Sequence, residues 1–276
     1  MITLTVVAEN SPHPDRTDLV ADHGFAALAE LDDQTLLYDF GPEGSLTANA
    51  HALGIDLASV DVAVLSHGHH DHAGGLGAFL SANDRATVYH GRGAFHPRWS
   101  ISGGPPKEIG VPLIPTEDVV ARLRAVDLLD DRDKYVLLPA APGYHPKPKG
   151  NGALLTGSAG ARLQDDFTDE VTVVLRGPDG LVVLTGCSHR GILNIAEQVR
   201  TYCPDCPVSA VIGGFHLRDG QESEDEVGRI GEALDDKFPD ARIITGHCTD
   251  KHAAGVIHEV FGDRYEGLHV GKVMEF

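Results

Sequence analysis

Residues 66–75 read Ser-His-Gly-His-His-Asp-His-Ala-Gly-Gly, which places four histidines and one aspartate within six positions. The stretch directly follows residues 61–66 (DVAVLS), a short apolar run that predicts a buried strand. Gly74 and Gly75 permit a tight turn and a close approach of the backbone before the next helix. A solvated polar loop, or an aspartate that caps a helix, is the alternative interpretation, but so dense a cluster after an apolar strand favours a metal site.

The spacing within this cluster predicts two metal positions. His67 and His69 alternate as on an extended strand end, so both side chains can point the same way. Asp71 and His72 follow where the chain turns into a helix, and they can face a second position beside the first. Neutral imidazole and carboxylate are common ligands of Zn²⁺, and Fe and Mn also accept them. We therefore expect two divalent metal ions, with zinc favoured over iron or manganese.

The rest of the chain predicts an α/β fold. Short apolar runs predict strands, and longer runs with a helical period predict helices. The predicted strands are residues 2–7, 25–31, 35–39, 61–66, 170–176, 181–185, 208–213, 241–245 and 268–274, and the predicted helices are residues 45–53, 74–82, 191–202, 222–237 and 251–261. This order predicts sheets covered by helices, and ligands in such folds bind at the carboxyl ends of strands.

The chain is predicted to form a single domain over residues 1–276, with a loop-rich insertion at about 91–165. The insertion contains two stretches rich in Gly and Pro, GGPPKEIGVPLIP at 103–115 and PAAPGYHPKPKGNG at 139–152. Long loops of this kind often serve as lids or binding loops, so we place the insertion near the active site.

The overall charge is strongly acidic, because 22 Lys and Arg stand against 41 Asp and Glu, a formal net charge of -19. Nucleic acids and anionic membranes repel such a surface, so neither is expected as a partner. No apolar run is long enough for a transmembrane helix, and the N-terminal segment lacks the basic start of a signal peptide. We expect a cytoplasmic protein, for which a homodimer is one option.

The positive charge is segregated within the chain. Residues 85–107 and 134–164 together hold eight of the 22 basic residues and no acid. Ordinary loops with solvated lysines are the alternative, but a locally positive wall would attract a small anionic substrate, most simply a phosphate ester. The candidate substrate-binding residues are Arg98, His96, Lys147, Lys149 and His216.

The four cysteines are too few for a disulfide scaffold in a chain of 276 residues, which agrees with a reducing compartment. Cys203-Pro-Asp-Cys206 is an isolated CxxC motif. A structural zinc site would need two further ligands, so we expect a surface loop with two free thiols.

The motif His67-x-His69-x-Asp71-His72 resembles the signature of the metallo-β-lactamase superfamily. The resemblance covers essentially the whole chain. It implies an αββα four-layer sandwich with up to two metals at one edge and a bridging water or hydroxide as the nucleophile. Further stretches resemble one branch, the dihydropterin-aminobenzene ribofuranosyl phosphate synthase-like metal-dependent hydrolases. They are HGF at 23–25, LYDFG at 37–41, NA at 49–50, LGI at 53–55, residues 66–76, TGCSHRGI at 185–192, GGFHL at 213–217 and GHCT at 246–249.

The resemblance also implies the remaining metal ligands. Cys187 stands at the strand-end position where the family often has Gly-Asp, so its thiolate could replace the bridging acid. His189 is the candidate for the missing first-site histidine, and His247 is the candidate for the last ligand. His216 could be a ligand or a substrate contact, whereas Cys187 could instead be a small buried side chain.

The function that follows is a metal-dependent hydrolase acting on a small anionic, phosphate-bearing substrate, with Asp71 and His189 as catalytic residues. A transferase of the synthase type, which joins a pterin diphosphate to an aminobenzene ribosyl phosphate, is one alternative. A non-catalytic metal-containing ligand-binding module is another. A true β-lactamase is not expected, because such enzymes usually work outside the cytoplasm and no export signal is visible.

Overall fold

The computed structural model describes residues 1–276. Its strands are β1 (Ile2–Ala8), β2 (Ala26–Leu31), β3 (Gln34–Tyr38), β4 (Val62–Leu65), β5 (Thr87–His90), β6 (Arg98–Ser100), β7 (Lys107–Glu108), β8 (Leu123–Ala125), β9 (Asp130–Asp131), β10 (Tyr135–Leu138), β11 (Leu154–Thr156), β12 (Leu163–Gln164), β13 (Thr172–Gly177), β14 (Gly180–Thr185), β15 (Val208–Gly213), β16 (Arg242–Thr245), β17 (Tyr265–Gly267) and β18 (Val273–Glu275). Its helices are α1 (Ser45–Leu53), α2 (His70–Ala73), α3 (Leu76–Ala82), α4 (Glu117–Val120), α5 (Ile192–Tyr202), α6 (Glu224–Lys237) and α7 (Lys251–Phe261).

Two seven-stranded sheets form the centre of the molecule. The first has the order β18-β1-β2-β3-β4-β5-β8, and the second has the order β17-β16-β15-β14-β13-β10-β9. In the first sheet, β3, β4, β5 and β8 run parallel. In the second, β14, β15, β16 and β17 run parallel. Each sheet therefore presents a group of carboxyl strand ends at one edge.

Three apolar clusters divide the molecule into layers. The central cluster of 24 buried residues combines one face of each sheet, including Val173 and Leu175 of β13. Val174, between them, points the other way and packs with α5, α6 and α7 in a second cluster. A third cluster packs α1 and α3 on the outer face of the first sheet. Because side chains alternate along a strand, each sheet buries both faces, which produces the predicted αββα sandwich.

One predicted strand is wrong. Residues 268–274 form no single strand, because β17 ends before this range in the second sheet and β18 begins within it in the first. A turn at Gly271, whose φ is 76°, separates them. The other predicted helices and strands lie within about two residues of the observed ones, whereas α2, α4, β5, β17 and the seven short strands β6 to β12 were not predicted.

The insertion at 91–165 contains seven strands of two to four residues each. Four of them, β6, β7, β11 and β12, form a separate sheet. The others extend the two main sheets, with β8 at the edge of the first and β9 and β10 in the second. Runs this short give no period that sequence reasoning can detect.

Cys203 and Cys206 form a disulfide, so the prediction of two free thiols is wrong. The chain turns after the end of α5 and brings their Cα atoms within 5.5 Å, inside the usual range for a disulfide. None of the helices is long and apolar enough to span a membrane.

Candidate metal centre

Four strand ends from both sheets converge on one edge of the sandwich. His67 follows β4 of the first sheet, while His189, His216 and His247 follow β14, β15 and β16 of the second. The carboxyl ends of parallel strands meet at the same edge, which is where α/β folds bind ligands. The side chains that the sequence predicted as ligands therefore come together from distant parts of the chain.

The first ligand set contains His67, His69 and His189. All three are buried, and one ring nitrogen of each lies within 4.8 Å of those of the others. His67 Nε2 lies 3.0 Å from His69 Nδ1. The Nε2 atoms of His69 and His189 are buried and have no hydrogen-bond partner. An unpaired buried nitrogen costs about 1–3 kcal/mol, and a metal ion in contact with such a nitrogen would remove that cost.

The second ligand set contains Asp71, His72 and His247. Asp71 Oδ2 lies 3.8 Å from His72 Nε2 and 3.5 Å from His247 Nε2, and the two ring nitrogens are 3.0 Å apart. His23 Nε2 lies 3.3 Å from the same carboxylate oxygen, with 52% of its side chain exposed. His23 was not among the predicted site residues, because the sequence around it contains no metal-ligand spacing.

Cys187 lies between the two sets. Its Sγ is 3.2 Å from His72 Nε2 and lies within 4.8 Å of ring nitrogens of both His67 and His72. Burial raises the pKa of the Cys187 thiol, and the neighbouring Cys248 raises it further. The position is compatible with the predicted bridging thiolate, provided that a metal displaces the proton.

The protonation of the imidazoles fits metal binding. Burial lowers the pKa values of His67, His69, His189 and His247 well below the ordinary value, and the charges of neighbouring histidines lower them further. A neutral imidazole keeps a lone pair for a metal. Nitrogen, carboxylate and thiol donors at these distances fit Zn²⁺ and related divalent ions.

Asp71 and His72 are held in their charged forms. Burial lowers the pKa of His72, but the carboxylates of Asp39 and Asp71 outweigh it and raise the pKa to about 9. Burial raises the pKa of Asp71, but His72, His23 and His247 outweigh it and hold the pKa well below its usual range. Two carboxylates thus surround the second set and favour a cation there.

Asp39 connects the two ligand sets. Its Oδ2 lies 2.7 Å from His72 Nδ1 and accepts a hydrogen bond of 2.7 Å from the Ser66 hydroxyl. Its Oδ1 accepts the backbone N–H of Ser66 at 2.7 Å. Ser66 Oγ in turn lies 2.9 Å from His67 Nδ1. Contacts of this kind fix the tautomer and the orientation of ligating imidazoles.

Two asparagines orient the ligands of the second sheet. Asn151 Oδ1 lies 2.8 Å from His189 Nδ1, and Asn151 Nδ2 donates to the carbonyl of His189. Asn10 Oδ1 lies 3.0 Å from His247 Nδ1, and Asn10 Nδ2 donates to the carbonyl of His247. Neither asparagine could be predicted from the sequence, since the two pairs are separated by 38 and 237 positions.

Two buried carboxylates hold the backbone of the same loops. Glu9 Oε1 accepts the N–H of His247 at 2.6 Å, and Glu170 Oε1 accepts the N–H of His189 at 2.6 Å. Glu170 Oε2 also accepts the N–H of Arg190. Burial raises the pKa of Glu170 to about 7, although these backbone donors oppose the shift.

The backbone at this edge is strained. Six residues other than glycine have a positive φ, and five of them lie here: Asp39, Ser188, His216, His247 and Phe167, whose ring stacks on that of His189. A left-handed conformation outside glycine costs about 1–3 kcal/mol and is found preferentially at functional sites. The strain is a structural signal that no sequence motif provides.

Arg98 does not offer a free guanidinium to a substrate, which corrects the sequence-based role. It is 3% exposed and lies 2.9 Å from Asp165 and 2.6 Å from Asp169. Asp169 also accepts the backbone N–H of Gly68 at 2.8 Å. Arg98 therefore supports the loop that carries the metal motif. Both aspartates lie outside the segments that contain no acid, so a local count of charges cannot reveal them.

The other predicted substrate-binding cations are paired with carboxylates, and His96 lies away from the clustered histidines. Lys147 pairs with Asp166, and Lys149 pairs with Glu226 at 2.6 Å. His96 is exposed in a separate cleft that none of the clustered histidines lines. Six of the eight cations in the acid-free segments pair with carboxylates from elsewhere in the chain. The expected positive wall is thus largely neutralised.

A cleft of about 320 Å³ opens between α5 and α6. Lys147 and Lys149 lie on its rim, and its apolar lining includes Ile192, Phe215 and Leu217. Phe215 and Leu217 flank His216, whose ring centroid lies 4.2 Å from that of His189. None of the ligand histidines lines this cleft, however, since Phe215 and Leu217 pack with α5, α6 and α7.

The sequence of the chain matches a family whose members share this fold. The family model described as the metallo-beta-lactamase superfamily matches residues 19–247. The chain belongs to the metallo-β-lactamase superfamily. The match confirms the predicted family and fold, and this superfamily consists mainly of enzymes whose fold usually binds metal ions.

Members of the superfamily that resemble this chain include proteins of different stated roles. A 7,8-dihydropterin-6-methyl-4-(beta-D-ribofuranosyl)-aminobenzene-5'-phosphate synthase of Methanocaldococcus jannaschii is 28% identical over 93% of this chain and 90% of its own length. The crystal structure of Tm1679, described as a metal-dependent hydrolase of the beta-lactamase superfamily, has a TM-score of 0.83 and 28% identity, and covers 100% of this chain and 99% of the other. A diphosphatase from the PhnP family has a TM-score of 0.53 at 14% identity, covering 100% and 98%, which reflects the shared fold.

Proposed function

We propose that this protein is a metal-dependent hydrolase of a small anionic, phosphate-bearing substrate. The observation that carries the proposal is the convergence of two buried ligand sets, with unpaired or facing ring nitrogens, at one edge of the sandwich. The first ion would be held by His67, His69 and His189, and the second by Asp71, His72 and His247, with Cys187 in reach of the second. Divalent ions so held polarise a phosphoryl oxygen and lower the pKa of coordinated water toward about 7.

Asp71 and His23 supply a route for a proton. Asp71 Oδ2 faces both the second ligand set and His23 Nε2. The hydrogen bond to Asp71 raises the pKa of His23, although burial opposes the shift. His23 is half exposed, so it can exchange a proton between the carboxylate and solvent during turnover.

Arg218 is a candidate for binding the anionic group. A Cβ atom at Gly150 would lie 3.0 Å from His216 Nε2 and 3.2 Å from Arg218 Cγ, so the arginine lies beside the metal edge. Arg218 Nε donates to Asp250 at 3.1 Å, and its two terminal nitrogens make no hydrogen bond within the protein. These nitrogens can bind a phosphate through two parallel hydrogen bonds.

The test is turnover of phosphodiester, cyclic phosphate, phosphomonoester and lactone substrates by protein loaded with Zn²⁺, Mn²⁺ or Fe²⁺. We expect hydrolysis of a phosphate ester that a chelator abolishes and that His69→Ala lowers by at least about 100-fold, since outer-shell changes alone cost 10–100-fold. His70→Ala is the matched control, because His70 belongs to the same motif but is exposed and outside both sets. Turnover that survives His69→Ala unchanged, or no turnover of any phosphate ester, would overturn the proposal.

A transferase of the synthase type is the second candidate. The 28% identity to the archaeal synthase over 93% of this chain favours it. The terminal nitrogens of Arg218 could equally bind a diphosphate leaving group. Incubation with a pterin diphosphate and an aminobenzene ribosyl phosphate distinguishes the two, because a transferase yields the coupled product and a hydrolase yields only cleaved esters.

A further inference from the structure

A second pair of cysteines lies immediately behind the two ligand sets. Cys187, His216 and Cys248 follow the ends of β14, β15 and β16 in turn. Their exposed fractions are 2%, 7% and 2%. Both sulfur atoms and one ring nitrogen of His216 lie within 4.8 Å of one another. Cys248 and His216 are in neither of the ligand sets that the proposed function uses.

The contacts of these side chains resemble those of metal-binding thiolates. The backbone N–H of His216 donates to Cys248 Sγ at 3.2 Å. Hydrogen bonds from the surroundings to a ligating atom stabilise its deprotonated form and fix its direction. His216 Nδ1 is buried and has no hydrogen-bond partner. The imidazole that approaches both sulfur atoms thus has one buried nitrogen without a hydrogen-bond partner.

The three side chains come together through a close backbone approach and strained backbone angles. A Cβ atom at Gly214 would collide with Cys248 Sγ, so the glycine lets the end of β15 approach the cysteine. His216 adopts a left-handed φ of 49°, and the adjacent His247 adopts a φ of 51°. A structural packing role for two small thiols would not require strained residues on two neighbouring strand ends.

We propose that Cys187, His216 and Cys248 form a third metal site for a thiophilic ion, with Zn²⁺ as the occupant. Two sulfurs and one imidazole select soft or borderline ions over Mg²⁺, Ca²⁺ or Mn²⁺. Binding displaces the two thiol protons and forms two metal–sulfur bonds and one metal–nitrogen bond, with no change in oxidation state. The site stands apart from the proposed hydrolysis, because its loss leaves the two ligand sets intact except for the shared Cys187.

The test is the metal content and the cadmium NMR spectrum of the full chain. Zinc-loaded wild type is expected to hold three equivalents and Cys248→Ser two. Cadmium-substituted wild type is expected to give one ¹¹³Cd resonance with the shift of a site bound by two thiolates, and Cys248→Ser should lose it. The double variant Cys203→Ser/Cys206→Ser is the matched control, because it removes the distant cysteine pair and should keep three equivalents.

The outcomes separate this site from the proposed function. His69→Ala should reduce binding at the first set but keep the two-thiolate resonance. The proposal would be overturned by a zinc content of two equivalents in wild type or of three in Cys248→Ser. It would also be overturned by a wild-type cadmium spectrum without a two-thiolate resonance. A Cys187–Cys248 disulfide in the freshly isolated protein, detected as missing thiols after denaturation, would overturn it as well. If Cys248→Ser does not fold, the wild-type spectrum alone decides.

Discussion

Replacement of Asp39 by asparagine is expected to disable the second ligand set. Asp39 Oδ2 lies 2.7 Å from His72 Nδ1 and accepts the hydroxyl of Ser66, while Oδ1 accepts the backbone N–H of Ser66. A carboxylate here keeps a ring proton on Nδ1, so the proton that a metal displaces is the one on Nε2, which lies 3.0 Å from His247 Nε2. In Asp39→Asn the oxygen stays with the backbone N–H, and the NH₂ group faces His72.

The NH₂ group reverses the tautomer. It makes His72 Nδ1 the acceptor and moves the ring proton to Nε2, the atom that must bind the metal. Loss of an outer-shell partner typically costs 10–100-fold in metal affinity, which corresponds to about 1.4–2.7 kcal/mol. The pKa of His72, about 9 beside two carboxylates, should fall below its ordinary value because burial then dominates. A histidine pKa that is raised in the folded state adds to the free energy of unfolding of the metal-free protein. The contribution is complete below about pH 6.5 and disappears as the pH rises through about 9. Asp39→Asn should therefore lose the most stability in acid.

Competition with a chromogenic chelator measures the metal affinities, and ¹⁵N NMR of the metal-free protein measures the pKa of His72. We expect one dissociation constant to rise 10–100-fold. Asn151→Ala, which removes the partner of His189 Nδ1, should raise the other constant instead. His70→Ala should change neither. Unchanged affinities together with an unchanged His72 pKa in Asp39→Asn would refute the reasoning.

Two further predictions concern stability. Glu170 has a pKa raised by burial from 4.5 to about 7, so the folded state binds the extra proton and the free energy of unfolding falls by up to about 3 kcal/mol as the pH rises from about 4.5 to 7. In Glu170→Gln this pH-dependent part of the free energy of unfolding should be absent. Urea titrations of both proteins at pH 5 and pH 8 measure it, and an equal pH dependence in the two would contradict the prediction. Arg98→Met leaves two buried aspartates without their cation and should cost about 3–5 kcal/mol. Arg92→Met removes a largely exposed pair and should cost less than about 1 kcal/mol in the same titrations, so equal losses would be the contrary result.

The ligand side chains could be predicted because each carries a local signal. His67, His69, Asp71 and His72 lie within six residues after an apolar strand. His189 and His247 follow predicted strands whose carboxyl ends meet in a parallel sheet. Strand position and residue type, together with the family resemblance that implied His189 and His247, therefore predict the metal edge before the tertiary structure is known.

The residues that orient the ligands could not be predicted. Asn10 reaches His247 across 237 positions, and Asn151 reaches His189 from a loop with no motif of its own. The same physical reason explains the charge pattern. Arg98 lies in a segment without acids, yet its partners come from the residues just beyond the second acid-free segment, which ends at residue 164. Ion pairs and hydrogen bonds between distant residues depend on how the chain packs, whereas a count of charged residues along the sequence records only neighbours.

Each ligand set draws on both sheets, which has a consequence for folding. The first set takes His67 and His69 from the first sheet and His189 from the second, and His247 brings the second sheet into the other set. A metal at 1,000 times its dissociation constant therefore adds about 4 kcal/mol to the stability of the joined sandwich. The central cluster of 24 residues already joins the sheets without it. We therefore expect the fold to form without metal, with the strain and unpaired nitrogens at the edge as costs that the core supports and that metal binding offsets.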